Sequence, residues 1–404
     1  MFGRTLISSI TFLVLFLLSS FFPDLCRAQE GSPAGPIPPE LLQARRARLL
    51  EALDGATALL SSAREQDIEA EYAQASDYRE DNDFLYLTGL EAPGGWLLVN
   101  GPEEREMVLY LPPRAPGAER WTGEKLGPGS YAEALTGLSE VRSVQAFWGD
   151  LAAWARRVGG GKTLFLSGGD EGTRERLAAL GEGGAPRIES LDPLVAPLRL
   201  IKDGEELRRL RRAAEITMEA HQEVWRTAEP GLFEYQIEAV LEFVFHLHGA
   251  ERVGFPSIVG SGPNSTILHY DDSRRQMEHG ELVVVDIGAE YGYYTADITR
   301  TFPVSGRFTS RQKALYDLVL GAWHAGLSAI RPGSTIGEVN AAVRAHLQEQ
   351  SGDLCGETSC APHLLHGVAH WLGMDVHDVG STRTPFAPGM VLTLEPGLYL
   401  PEEE

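Results

Sequence analysis

The stretch that most constrains this chain is Leu282–Pro303, LVVVDIGAEYGYYTADITRTFP. An apolar, β-branched run, Val283 to Val285, is followed by a second β-rich run from Tyr293 to Phe302. Between them stand Tyr291 and Gly292, and glycine supplies the positive φ that a tight turn needs. The pattern predicts a β-hairpin. With Tyr291 and Gly292 as the turn residues, Asp286 falls directly opposite Asp297. Opposed side chains in an antiparallel pair have Cβ atoms about 4.5–5.5 Å apart, and like charges there destabilise the sheet. Aspartate is also a poor strand former, so two of them in apolar strands break a local rule, as functional sites do. A hard divalent cation would cancel the repulsion; two exposed aspartates near a turn are the alternative.

Further along lies HGVAHWLGMDVHD, residues 366–378, with His366, His370 and His377. Neutral imidazole serves as metal ligand and proton shuttle, and three in so short a segment shift the balance from decoration to function. His366 and His370 have the spacing of a mononuclear zinc protease, but Gly367 stands where that mechanism needs a glutamate. Next comes MVLTLEPG, residues 390–397, which predicts an apolar strand carrying Glu395; a carboxylate there must be paired or coordinated. His269, in the loop GSGPNSTILHY ahead of the hairpin, is either a site residue or an ordinary loop histidine. Two aspartates, one histidine and one glutamate suit two adjacent divalent ions, and an imidazole among carboxylates points to manganese, cobalt or zinc rather than calcium. Two such ions about 3.5–4 Å apart polarise a carbonyl for hydrolysis.

Composition narrows the partners. A chain of 404 residues has room for two domains, and 43% hydrophobic residues suit folded cores. A net charge of -22 argues against nucleic acid, whose phosphates demand a basic surface. At the N-terminus Arg4 precedes the apolar run 6–22 and then Cys26-Arg27-Ala28. This predicts a secretory signal, residues 1–28, cleaved after Ala28, and an exported protein, periplasmic or secreted. Leu25 before Cys26 counts against a lipoprotein signal. The run is short for a bilayer core of about 30 Å, which makes an uncleaved anchor the weaker expectation. Cys355 and Cys360 remain in the mature chain, either closing a small loop or standing as two thiols.

Residues 39–54 have helical spacing, and WLLV, MVLYL and KTLFLS are strand-like, so residues 29–200 read as an α/β domain without a catalytic constellation. Near Pro197–Asp203 the pattern changes to long helices, which sets residues 201–404 apart as an α+β domain. Helices are predicted at about 205–228, 233–248, 309–330 and 335–350. Pro230-Gly231 and Pro332-Gly333 each precede a helix, an echo that suggests two related halves.

Taken together, these motifs resemble the metallopeptidases of the pita-bread fold, and within them the aminopeptidase P type, the Xaa-Pro aminopeptidases. SDYREDNDFLYLTGL, residues 76–90, is similar to the N-terminal signature of that family. RLIKDGEELRRLRRAAEIT, ILHY, the hairpin, HGVAHWLGMDVHDVG and LTLEPGLY follow its order and spacing. The resemblance implies a creatinase-like N-terminal α/β domain followed by a pita-bread catalytic domain. It implies Asp286, Asp297, His370 and Glu395 as metal ligands, and His269, His366 and His377 as substrate or transition-state contacts. It implies two divalent ions, manganese foremost, with zinc or cobalt as alternatives. The activity implied is removal of the first residue from peptides with proline second, by attack of a metal-bridging hydroxide. Glu395 would assist proton transfer and His377 would steady the tetrahedral intermediate. Homo-oligomers are compatible with the family, and no membrane insertion is expected after signal cleavage. An Xaa-Pro dipeptidase is the nearest alternative. The family's fifth ligand is a glutamate beyond the E-P-G motif, and the sequence given reaches Glu404. That ligand and the closing strands are therefore expected in a longer chain, with a non-catalytic binding protein on the same scaffold as the other expectation.

Overall fold

The computed structural model describes residues 32–64, 78–99, 107–158, 161–180, 186–356 and 359–401; the predicted signal segment lies outside the described residues. Two compact units meet in sequence at Lys202–Asp203: Pro36–Lys202, and Asp203–Glu404 together with the residues before Pro36.

In the first unit, α1 (Pro39–Leu53) and α2 (Asn82–Thr88) accompany six strands: β1 (Thr57–Ser61), β2 (Trp96–Val99), β3 (Met107–Leu111), β4 (Val141–Ser143), β5 (Thr163–Ser167) and β6 (Arg187–Ser190). They form one mixed sheet in the order β4-β3-β2-β1-β5-β6. The predicted strands WLLV and MVLYL are β2 and β3, paired antiparallel. On this sheet lies α3 (Val144–Val158), whose Phe147, Leu151 and Trp154 pack against Leu59, Leu98, Tyr110, Leu164 and Leu166. Each such buried side chain contributes about 1.5–3 kcal/mol. The unit closes with α4 (Asp192–Leu200).

The second unit opens on α5 (Gly204–Thr227). Its Asp203 cap accepts from the Glu206 amide while Glu206 bonds back to the Asp203 amide, a capping box. After Pro230-Gly231 comes α6 (Glu234–Leu247), and strands β7 (Arg252–Val253) to β12 follow. Then come α7 (Ser310–Ala329), Pro332-Gly333 and α8 (Ile336–Gln350), both helices started by capping boxes at Thr309 and Thr335. Each Pro-Gly thus joins a packed helix pair, α5 with α6 and α7 with α8, and among the described residues no hairpin follows the second pair.

The hairpin comprises β9 (Leu282–Ile287), β10 (Ala289–Tyr291), β11 (Tyr294–Thr295) and β12 (Ile298–Pro303). β9 lies between β12 and β8 (Ile258–Ser261) in one sheet, and β10 between β11 and β7 in another. Burial alternates along β9. Val283, Val285 and Ile287 enter the core with Ile216 and Val224 of α5 and Ile237, Leu241 and Phe245 of α6, which leaves Asp286 on the opposite face.

The register corrects the sequence expectation. Tyr291 pairs with Tyr294, so the two turn residues are Gly292 and Tyr293, both with positive φ, 58° and 70°. A two-residue type I′ turn requires left-handed backbone at both positions. Tyr293 accepts it with its ring buried and Arg252 lying 5.5 Å from the ring centroid. Asp286 therefore faces Thr299, not Asp297. Asp297 sits in the break between β11 and β12, diagonal to Asp286. The chain passes closely there: a Cβ on Gly288 would meet the Ala296 carbonyl oxygen at 1.9 Å. Only glycine fits.

A second correction concerns MVLTLEPG, which forms no full strand. Residues 391–395 run extended against 368–372, with Thr393 N–H donating to the His370 carbonyl, Glu395 N–H to Val368 and Leu372 N–H to Val391, and one ladder bridge, Trp371 to Leu392. Pro388 and Pro396, which have no N–H to donate, bracket the segment.

Candidate metal centre

These two devices, the broken hairpin and the paired segments 368–372 and 391–395, bring four predicted residues together. His370 Nε2 lies 3.2 Å from Asp297 Oδ2 and 3.0 Å from Glu395 Oε1. His370 Nδ1 lies 3.0 Å from the Trp371 carbonyl, so it carries the proton that donates there and turns Nε2 toward the acids. Its backbone N–H donates to Thr393 Oγ1, and that hydroxyl donates to Glu395 Oε1 at 3.1 Å. Asp286 shares a hydrogen bond with Asp297 and accepts one from Thr299, while its Oδ1 is buried with no partner.

Electrostatics follow from this crowding. Burial first, then the charge of Asp297, pushes the Asp286 carboxyl up to about 7. Burial alone would lower the His370 imidazole, but hydrogen bonds to Asp297 and Glu395 raise it to about 10. Burial would raise Glu395, yet the bond to His370 holds it below the usual carboxylate range. The His370 proton is thus the positive charge in direct contact with Asp297 and Glu395.

Among the described residues no group of three or more His, Cys, Asp or Glu is arranged to hold a metal ion as it stands; Asp297 and Glu395 close directly on the imidazole. The donor set nonetheless fits a divalent ion on three counts. Two donors each about 2.1 Å from one ion and at right angles sit about 3 Å apart, which is the separation of His370 Nε2 from its two acids. The distal ring N–H of His370 donates to a carbonyl, as a ligating histidine's does. The bare Asp286 Oδ1 has no protein donor to meet it, and such an atom is costly unless something else binds it.

The remaining predicted histidines divide. His377 packs edge-on against His370, ring centroids 4.4 Å apart. His366 Nδ1 donates to the Gly367 carbonyl at 2.8 Å, and its Nε2 accepts from the Tyr399 hydroxyl at 2.9 Å. His269 is exposed and lines an open cleft of about 570 Å³ with Asn264, Tyr270, Asp271 and Arg274.

Several partners escaped the sequence. Tyr399, held up to about 12 by burial and by the charges of Glu395 and Asp286, lies inside the LTLEPGLY motif four residues past Glu395, and membership of that motif is the one signal that points to it. Asn340 Oδ1 accepts from Val368 N–H, and the Trp323 indole donates to the Leu394 carbonyl at 3.1 Å. These two pin the paired segments from α8 and α7, and no local pattern announces them.

Comparison with known proteins places this geometry. The sequence matches Metallopeptidase family M24 over residues 208–404 and the aminopeptidase P N-terminal domain over residues 42–162. It is 36% identical to the Xaa-Pro aminopeptidase of Escherichia coli strain K12, across 89% of this chain and 86% of that one. A histidine-to-alanine variant of Escherichia coli aminopeptidase P superposes with a TM-score of 0.81 at 34% identity, covering 91% of this chain and 88% of the other. The structure described as a putative aminopeptidase P from Bacillus anthracis gives a TM-score of 0.84 at 28% identity, covering 91% and 90%. With its acids and imidazole gathered on a broken hairpin and paired segment, and a relative 36% identical across 89% of the chain, the chain belongs to metallopeptidase family M24, in the branch that carries the aminopeptidase P N-terminal domain.

Proposed function

We propose that this protein is a metal-dependent Xaa-Pro aminopeptidase, removing the first residue from peptides whose second residue is proline. The observation that carries the proposal is the closure of Asp297 and Glu395 on His370 Nε2 beside the bare Asp286 Oδ1. Asp286, Asp297, His370 and Glu395 would hold two divalent ions, and the mixture of carboxylate with imidazole favours manganese, with zinc or cobalt as substitutes. When bound, such ions polarise the scissile carbonyl and lower the pKa of the hydrolytic water.

The chain's own residues do the rest. Glu395, steadied by the Thr393 hydroxyl, takes the proton of the attacking water and passes it to the departing proline nitrogen. That nitrogen carries no N–H in the substrate, so ordinary backbone recognition fails and side chains must orient the bond. His377, against His370, donates toward the oxygen that gains charge. His366, its tautomer set by the Gly367 carbonyl and by Tyr399, and His269 on the cleft wall contact the substrate.

We also infer export. The signal-like N-terminus supports it, as does the Cys355–Cys360 disulfide, a bond that belongs to oxidising compartments. Among the described residues no helix is long and apolar enough to cross a membrane.

The test is incubation of the full-length protein with an Xaa-Pro-Yaa tripeptide and manganese. Free first residue should appear and chelation should stop it. Cleavage of an Xaa-Pro dipeptide with the tripeptide left whole would overturn the proposal.

A further inference from the structure

Both arms of the loop that presents His269 converge on one carboxylate. Glu234, the first residue of α6, is fully buried. Its Oε1 accepts from the Ser261 N–H at 2.8 Å, the Ser261 hydroxyl at 2.7 Å and the Asn264 amide at 3.2 Å, all on the arm before His269. Its Oε2 accepts from the Tyr270 hydroxyl at 2.7 Å and the Arg275 N–H at 2.9 Å, both on the arm after it. The loop needs such a tie. Ser273 holds a left-handed backbone, φ 49°, which a residue with a Cβ rarely adopts, and its hydroxyl is buried without a partner. A segment with two local costs keeps one shape only where its surroundings over-determine it. Beyond the loop, β8 and β9 pair in register, so the anchor stands on a rigid sheet.

We infer that Glu234 is a positioning residue that sets His269, with its neighbour Tyr270, on the wall of the substrate cleft. The inference rests on the proposed role of His269 as a substrate contact. Glu234 itself touches no reacting atom; it acts through the loop. Glutamate is needed because five donors from three directions meet a two-oxygen acceptor. Glutamine would turn one of those oxygens into a donor facing donors, and alanine would leave all five unmet.

Amide hydrogen exchange on the full-length protein tests this, with Glu234→Gln and Glu234→Ala against wild type. Exchange across residues 264–274 should quicken by about tenfold or more, with β9 and α5 unchanged. Kinetically, Glu234→Gln should lower kcat/KM toward the value of His269→Ala with bound metal unaltered. The double variant should be no slower than His269→Ala alone, because both changes remove one interaction. Unchanged loop protection, faster exchange spread evenly through β9 and α5, or losses that multiply in the double variant would each overturn the inference. Should wild type release no first residue, the aminopeptidase proposal falls and the exchange result decides the role of Glu234 alone.

Discussion

The two units bury acids in opposite ways. In the first, Glu80 accepts from the Ala63, Asp81 and Ala92 amides and from the Tyr78 hydroxyl, and Asp83 pairs with Arg199 at 2.8 Å and accepts from Ser167 at 2.9 Å. The protein meets these carboxylates with its own donors. In the second unit Asp286 is half-buried with its Oδ1 enclosed, yet the strongest charge acting on it is another acid, Asp297, and that Oδ1 meets nothing. Burial by itself therefore does not mark a site. A buried acid whose partners are complete is architecture, and one that the fold leaves incomplete beside a like charge is prepared for a ligand from outside. Glu234 shows that the division follows chemistry rather than location, since it lies in the second unit and is satisfied as fully as Glu80.

The sharpest way to break this contrast is to remove one acid from each class. Asp297→Ala should abolish turnover, by a factor on the order of 10³ or more, and should remove bound metal, because it deletes both a proposed ligand and the acid facing His370. Its unfolding midpoint without metal should change little, because relief of the repulsion toward Asp286 is offset by loss of the pair with His370. Peptide assay, metal analysis and a thermal scan of the metal-free protein check the three parts; retained turnover would refute the assignment. Asp83→Ala should do the reverse. It removes the carboxylate bonded to Arg199, 5% exposed, and breaking one half of a buried pair costs about 3 kcal/mol of stability. Metal content per folded chain should not change. Denaturant unfolding of the two variants side by side shows whether the classes truly differ.

How much of this the sequence displayed depends on how far apart the partners lie. The acid pair was legible because a hairpin fixes which residues meet, and an error of one in the turn still left Asp286 and Asp297 within reach of each other. The turn itself was not legible: glycine announces positive φ, but nothing local says that Tyr293 adopts it too, supported by Arg252 from another strand. His366, His370, His377 and Glu395 stood out by clustering and by an acid in an apolar run. The failure at MVLTLEPG lay in the element, not the residue, because two prolines leave room for pairing only over 391–395. Glu80, Asp83 and Glu234 carry no such mark. Their partners are 84 and 116 residues away for Asp83, and 27 to 41 away for Glu234, so they look like ordinary surface acids until the chain is folded.

The smallest predicted effect extends the contrast to a base. His221 on α5 is fully buried; its Nε2 donates to the Ile298 carbonyl at 2.9 Å, while Nδ1 is buried with no partner. Burial lowers its pKa to about 4, outweighing the carbonyl bond that favours the charged form, and Arg300 adds to the lowering. Unfolded, the same imidazole titrates near 6.5, so between those values the unfolded chain binds the extra proton. Stability from this residue is therefore complete above about pH 6.5 and lost as pH falls toward 4, by about 3 kcal/mol at most. His221→Gln should flatten the fall in unfolding free energy across that interval relative to wild type, measured by denaturant titration at several pH values. An identical slope in both proteins would mean that the protonated ring finds an acceptor for its Nδ1–H in solution, and that burial does not hold this imidazole neutral.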